Sequence, residues 1–218
     1  MFARGLRLVI ASCAFAILMG AAYAQQQQLA PGLRPEDLSR DALLNDPDAP
    51  VIGNPNGDLT IVAFEDYNCP FCKKSDPELR QLVKNDGHIK LLYKDWPILA
   101  DTSLYGAELA LAAKYEGKYE TVHDALMDEP ASESLRKDQT VMDMAVAKAG
   151  VDLTQLKKDL GDHIVEIGTL LQRNNAQATF LHFSGTPIFL IGPYLIAGAP
   201  DYNGFKKVVA KARAQNKH

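Results

Sequence analysis

Beyond residue 50 the chain alternates short, continuous apolar runs with longer stretches of helical period, and the switches mark its elements. Leu59-Thr60-Ile61-Val62-Ala63-Phe64 is almost unbroken and of strand length, the pattern of a strand buried on both faces. From Pro70 the pattern turns amphipathic, which predicts a helix. Ile89-Lys90-Leu91-Leu92-Tyr93 predicts a second strand, and strand–helix–strand predicts a parallel pairing. From about Thr102 to Ala178 the period stays helical. Tyr119, Val122, His123, Leu126 and Met127 fall at i, i+3, i+4, i+7 and i+8. Asp152 with Gln155 has the form of a capping box, and Gly161 is placed to close that helix. Ile164, Ile167 and Leu171 form the stripe of the next one. Strand signals return at Pro187-Ile188-Phe189-Leu190-Ile191, and Gly192-Pro193 turns into Tyr194-Leu195-Ile196-Ala197 as a hairpin. A last helix from Asp201 turns Phe205, Val208, Val209 and Ala212 inward. The order is βαβ, a helical block, then ββα, which makes the chain α/β.

The first 24 residues follow a different pattern. Arg4 and Arg7 precede an apolar stretch from Leu8 to Ala22, and Ala22-Tyr23-Ala24 is a small-x-small cleavage site. About 15 apolar residues fall short of the roughly 20 that span a bilayer as a helix. Residues 1–24 are therefore read as a cleaved export signal, in preference to a membrane anchor or to a lipoprotein signal at Cys13. Residues 25–50 hold a Gln run, four prolines (Pro31, Pro35, Pro47, Pro50) and one short helical candidate. They are read as a flexible leader, because so short a helix is marginal alone. The domain is then expected over 51–218, with the helical block at about 100–182.

Loss of residues 1–24 removes two arginines and no acid, taking the formal charge from −4 to −6. An acidic chain is poorly suited to nucleic acid or anionic membranes. Of the three cysteines, Cys13 leaves with the signal, so Cys69 and Cys72 are the mature chain's pair. Cys69-Pro70-Phe71-Cys72 sits where the first strand gives way to the first helix. A thiol at a helix N-terminus meets unpaired N–H groups and the helix dipole, and both favour the thiolate. In an oxidising compartment such a pair is reactive, which points to redox chemistry. Half a zinc site is the competing reading, but no second Cys pair exists and the five histidines are scattered. No metal site and no cofactor beyond a Cys69–Cys72 disulfide are expected.

Phe64-Glu65-Asp66-Tyr67-Asn68-Cys69-Pro70-Phe71-Cys72, Tyr93-Lys94-Asp95-Trp96-Pro97-Ile98-Leu99, His123-Asp124-Ala125-Leu126-Met127 and Gly185-Thr186-Pro187 occur in that order, with Gly198 after the hairpin. The chain thereby resembles the DsbA family of exported thiol:disulfide oxidoreductases, within it the ScsC-like branch, from about Asp46 to Ala212. The resemblance implies a thioredoxin fold with a helical insertion between the βαβ unit and the C-terminal ββα unit. It implies that Cys69 is the exposed nucleophile, Cys72 the buried resolving thiol, and Pro187 a cis-proline. Thr186 before it would pair with an extended substrate. Protein thiols or disulfides are the implied substrates, with a membrane redox partner and a periplasmic location. Isomerase or reductase action, and Cu(I) binding by the same thiols, are the alternatives.

Three positions depart from the family's strong oxidases. The acid usual six residues before the nucleophile is Ala63 here, and Glu65 and Asp66 are read as solvated at the strand end. Phe71 stands where strong oxidases carry His, so Cys69 is expected to be less acidic than theirs. Thr186 replaces their Val, as in isomerases and ScsC-like proteins. His123 is read as a core histidine, Lys73 and Lys74 as a solvated helix face, and Trp96 as packed beneath the site.

Overall fold

Five strands form one mixed sheet in the order β1-β3-β2-β4-β5, in a computed structural model that describes residues 34–215. They are β1 (Val51–Gly53), β2 (Leu59–Glu65), β3 (Ile89–Asp95), β4 (Ile188–Ile191) and β5 (Tyr194–Ala197). β2 and β3 pair in parallel, from Leu59 opposite Ile89 to Glu65 opposite Asp95, and the other pairings are antiparallel. Nine α-helices accompany the sheet among the described residues. α1 (Arg40–Leu44) precedes it, and α2 (Pro70–Asp86) is the crossover between β2 and β3. The block α3 (Asp101–Ala113), α4 (Tyr119–Asp128), α5 (Glu133–Lys137), α6 (Gln139–Lys148), α7 (Leu153–Asp162) and α8 (Ile164–Phe180) leads to the β4–β5 hairpin and α9 (Tyr202–Gln215). This is a thioredoxin fold with its helical insertion where the sequence puts it.

β2 is continuous in hydrophobicity because both its faces are covered. Leu59, Ile61 and Ala63 join the larger core beneath α2 and the helical block. Val62 and Phe64 point the other way, into a second cluster with Leu92, Trp96, Ala178 and Ile188. Leu43 and Ala49 complete that second cluster, so residues 36–50 are part of the domain rather than a flexible leader. The reason is tertiary. Without these residues part of that face of the central strands would be open to water, and packing there stabilises a helix too short to persist alone. Ser39 caps α1 by accepting from the Ala42 amide at 3.1 Å. Asp46 meets the ammonium of Lys94, whose side chain is wholly buried on β3, and Arg173 of α8 reaches both Asp46 and Asp48 at 2.7 Å. The export signal at 1–24 and residues 25–33 lie outside the described residues.

Smaller differences have local causes. Asp152 does cap α7, accepting from the Thr154 and Gln155 amides, but the Gln155 side chain binds Asp159 instead of reaching back. Gly161 lies inside α7, which closes where the His163 amide donates to the Asp159 carbonyl. Ile164 is 46% exposed at the head of α8; Ile167, Leu170 and Leu171 carry its buried face. β1 is a three-residue edge strand too short to leave a periodic signal.

Candidate active site

β2 ends at Glu65 and α2 begins at Pro70, with Cys69 as its N-cap residue. Pro70 suits the first helical turn, where its missing N–H costs nothing. The Cys72 amide donates to Cys69 Sγ at 3.4 Å, and the Cys69 thiol donates to the Thr186 carbonyl at 3.3 Å. The Thr186–Pro187 peptide is cis. The fold thus brings Cys69, Cys72, Thr186 and Pro187 together across 117 residues of sequence. Pro70 and Phe71 face outward, and 60% of Phe71 is exposed. Cys69 itself exposes only 2%, against the expectation of an exposed thiol, because the Thr186 backbone lies against its sulfur. Both cysteines are free thiols.

The two thiols have opposite acidities. A hydrogen bond from the Cys72 thiol, opposed by burial and helped by Thr186 and the Cys72 and Phe71 amides, brings Cys69 down to about 6. Burial pushes Cys72 well above the ordinary thiol value, and the bond to Cys69 and the Glu65 charge push it the same way. The helix N-terminus acts here through two identifiable amides rather than through a diffuse dipole.

Asp66 and Glu65 are not solvated: they expose 1% and 2%. Asp66 accepts from the Asn68 amide and the Ser103 hydroxyl on one oxygen, and from the Ile98 and Leu99 amides on the other, at 2.7–3.0 Å. It ties the cysteine loop to the segment after β3 and to α3. Asn68 adds bonds to Thr102 and Ser103 at 2.9 Å. Glu65 is different, since neither of its carboxylate oxygens has a hydrogen-bond partner.

Glu65 lies beside Asp95 on the parallel ladder, and its carboxylate comes within 4.8 Å of Asp76 and His123. Asp76 accepts from Tyr93 at 2.7 Å, from Arg80 at 2.6 Å and from or to His123 Nε2 at 3.1 Å. His123 Nδ1 meets the Tyr67 hydroxyl at 2.9 Å, so this core histidine has both ring nitrogens engaged. Tyr119 donates to Asp95 at 3.2 Å, and burial raises Asp95 to about 6. Sequence reasoning missed this cluster because its members come from four separate elements. Lys73 also departs from expectation: it donates to the Leu126 carbonyl at 2.5 Å, and burial lowers it to about 8. Lys74 is exposed as expected. Trp96 packs edge-on to Phe64 and Phe183, and donates to Asn175 at 3.0 Å.

A thioredoxin fold with a helical insertion and a Cys-x-x-Cys heading its first long helix defines the class of this protein. The thioredoxin family model matches residues 45–211, and the chain belongs to that family. A thioredoxin-like oxidoreductase from Silicibacter pomeroyi DSS-3 is 39% identical, with a TM-score of 0.72 over 81% of this chain and 98% of that one. The thiol-disulfide exchange protein alpha-DsbA2 from Wolbachia pipientis is 30% identical, with a TM-score of 0.71 over 81% of this chain and 94% of that one. The catalytic domain of Proteus mirabilis ScsC is 28% identical, with a TM-score of 0.69 over 80% and 94%. Among curated relatives, a probable disulfide bond formation protein D of Bacillus cereus is 24% identical over 73% of this chain and 76% of its own length. The Na(+)/H(+) antiporter NhaA 3 of Salinispora tropica is 29% identical over 74% of this chain. The chain spans about a quarter of the length of such antiporters (24% and 26%), so the likeness is to one part of them. No helix among the described residues is long and apolar enough to cross a membrane.

Proposed function

We propose that this protein is an exported thiol:disulfide oxidoreductase that exchanges disulfides with protein thiols through Cys69 and Cys72. The observation that carries the reading is the contrast between the paired thiols: Cys69 is held down to about 6 while Cys72 is held up. A thiolate both attacks and leaves readily in exchange, and its partner waits as a thiol until needed. In the oxidising direction a substrate thiolate attacks Cys69 Sγ, the Cys69–Cys72 bond breaks, and a mixed disulfide forms. A second substrate thiolate then displaces Cys69, leaving a substrate disulfide and two reduced cysteines. In the reducing direction Cys69 attacks a substrate disulfide, and Cys72 resolves the mixed disulfide.

Thr186 and Pro187 are assigned to substrate binding. The Thr186 backbone beside the sulfur offers hydrogen-bonding groups to an extended chain, a short instance of strand addition. Export rests on the signal-like residues 1–24, and a related structure of 27% identity is described as a periplasmic thioredoxin-like protein from Salmonella enterica serovar Typhimurium. A membrane redox partner would restore the working oxidation state.

The test is trapping. Cys72→Ser should accumulate protein substrates as mixed disulfides on Cys69, and Cys69→Ser should abolish exchange. Stoichiometric Cu(I) binding by the wild type, without turnover on any disulfide substrate, would replace this reading with metal carriage.

A further inference from the structure

Three groups of metal-ligating type meet where β2, α2 and α4 join. Glu65, Asp76 and His123 each bring one ligand atom within 4.8 Å of the other two, and all three side chains are buried. Two of them are already paired, with His123 Nε2 3.1 Å from an Asp76 oxygen. Glu65 is the exception, because neither of its oxygens has a hydrogen-bond partner. A buried carboxyl group is satisfied by a hydrogen bond or by a cation, and without either it is costly. The donors around it are engaged elsewhere: Tyr93 on Asp76, Tyr119 on Asp95, and Arg80 on Asp76, Asp124 and Asp128.

We propose that Glu65, Asp76 and His123 bind one divalent cation of the zinc class, each through a single ligand atom. The donor set decides the class. One imidazole nitrogen with two carboxylate oxygens suits zinc, whereas magnesium and calcium favour oxygen ligands throughout. Ligand atoms about 2.0–2.2 Å from a tetrahedral ion stand about 3.3–3.6 Å apart. The Asp76–His123 pair is close to that spacing, and Glu65 has no hydrogen bond to give up in closing on the ion. Three protein ligands leave the fourth place to a water molecule.

The groups behind the three ligands suit the part. The Tyr67 hydroxyl is 2.9 Å from His123 Nδ1 and also bonds Asp95. By accepting the Nδ1 proton and donating its own to Asp95, it leaves the Nε2 lone pair free for the metal. Arg80 at 2.6 Å and Tyr93 at 2.7 Å fix the Asp76 carboxylate. Glu65, Asp76 and Asp95 bring three carboxyl groups into this core against the guanidinium of Arg80, which Asp124 and Asp128 also share. In the metal-free protein, protons must balance that excess; a divalent ion displaces them on binding. The ion ties β2 to α2 and α4 and acts by stabilising the fold, since no step of the exchange passes through it.

The experiment uses the full chain with Cys13, Cys69 and Cys72 all replaced by Ala, so that no thiol binds the metal. Because the cluster is closed in the folded protein, this chain is unfolded in urea, refolded with excess Zn²⁺ and separated from loose metal by gel filtration. One zinc per chain should remain, and the thermal midpoint should lie above that of the metal-free protein. Adding Glu65→Gln should abolish both the bound zinc and the rise in midpoint. Should that variant not fold, Co²⁺ in the cysteine-free chain serves instead: the NMR signals of the Tyr67, Tyr93 and Tyr119 rings should be the most strongly shifted or broadened. No zinc retained by the cysteine-free chain, zinc retained unchanged in Glu65→Gln, or cobalt centred on other residues overturns the inference. Thiol exchange by the wild type stands or falls separately, on the trapping test.

Discussion

Replacing Cys72 by Ala removes the strongest influence on the Cys69 thiolate, the hydrogen bond from its partner thiol, and leaves Thr186 and the two amides. A hydrogen bond to a charged group is worth about 1.5–3 kcal/mol, which at 1.36 kcal/mol per unit is about 1–2 pKa units. Cys69 should therefore rise from about 6 toward about 7–8 in Cys72→Ala. Cys72→Ser keeps an O–H donor in the same place and should stay near 6. A rate at one pH is a poor readout. At pH 7 the thiolate fraction would fall by about two- to tenfold, while a Brønsted slope of about 0.4–0.5 makes each remaining thiolate about three- to tenfold more nucleophilic. The two effects nearly cancel. The midpoint of thiolate ultraviolet absorbance against pH separates them, because it reports ionisation alone. A Cys72→Ala midpoint still near 6, or a Cys72→Ser midpoint shifted as far as that of Ala, would refute the assignment of the depression to the Cys72 donor.

Other perturbations follow from the same geometry. Asp46→Ala strands the buried Lys94 ammonium, and the loss should be about 3–5 kcal/mol in urea unfolding; a loss under about 1 kcal/mol would show that residues 36–50 do not hold the sheet. Asp95, at about 6 when folded, keeps a proton that the unfolded chain releases near its ordinary 3.8. Its contribution to stability is thus fully present below about pH 4 and is lost as pH rises through 6, by about 3 kcal/mol in all. Asp95→Asn should gain stability relative to wild type over that window, and a pH-independent difference would count against the shift. Thr186→Val should raise the Cys69 midpoint by less than Cys72→Ala, since the Thr186 side chain has a smaller influence on Cys69 than the Cys72 thiol has. Phe71→His should lower the midpoint and make the disulfide more oxidising, as read by equilibration with glutathione; an unchanged potential would separate the exposed dipeptide from thiol acidity.

The element order was legible because each element writes its own period. β2 and β3 are unbroken apolar runs, α2 and α4 carry clear stripes, and the hairpin has its turn residues; Cys-x-x-Cys at a strand-to-helix switch announces its chemistry through local geometry alone. Other features depended on what the chain packs against. Residues 36–50 are polar and proline-bearing, and nothing local says that Leu43 and Ala49 close the second face of β2 or that Asp46 meets Lys94. Glu65 and Asp66 are adjacent acids at the end of a strand, the pattern of a solvated edge. They are buried because α3, α4 and the segment after β3 close over them, and they differ because only Asp66 finds amide donors there. Local sequence fixes backbone preference and the period of burial. The burial of a single charge, and whether it finds a partner, is decided by elements tens of residues away, through contacts that exist only once the sheet has formed.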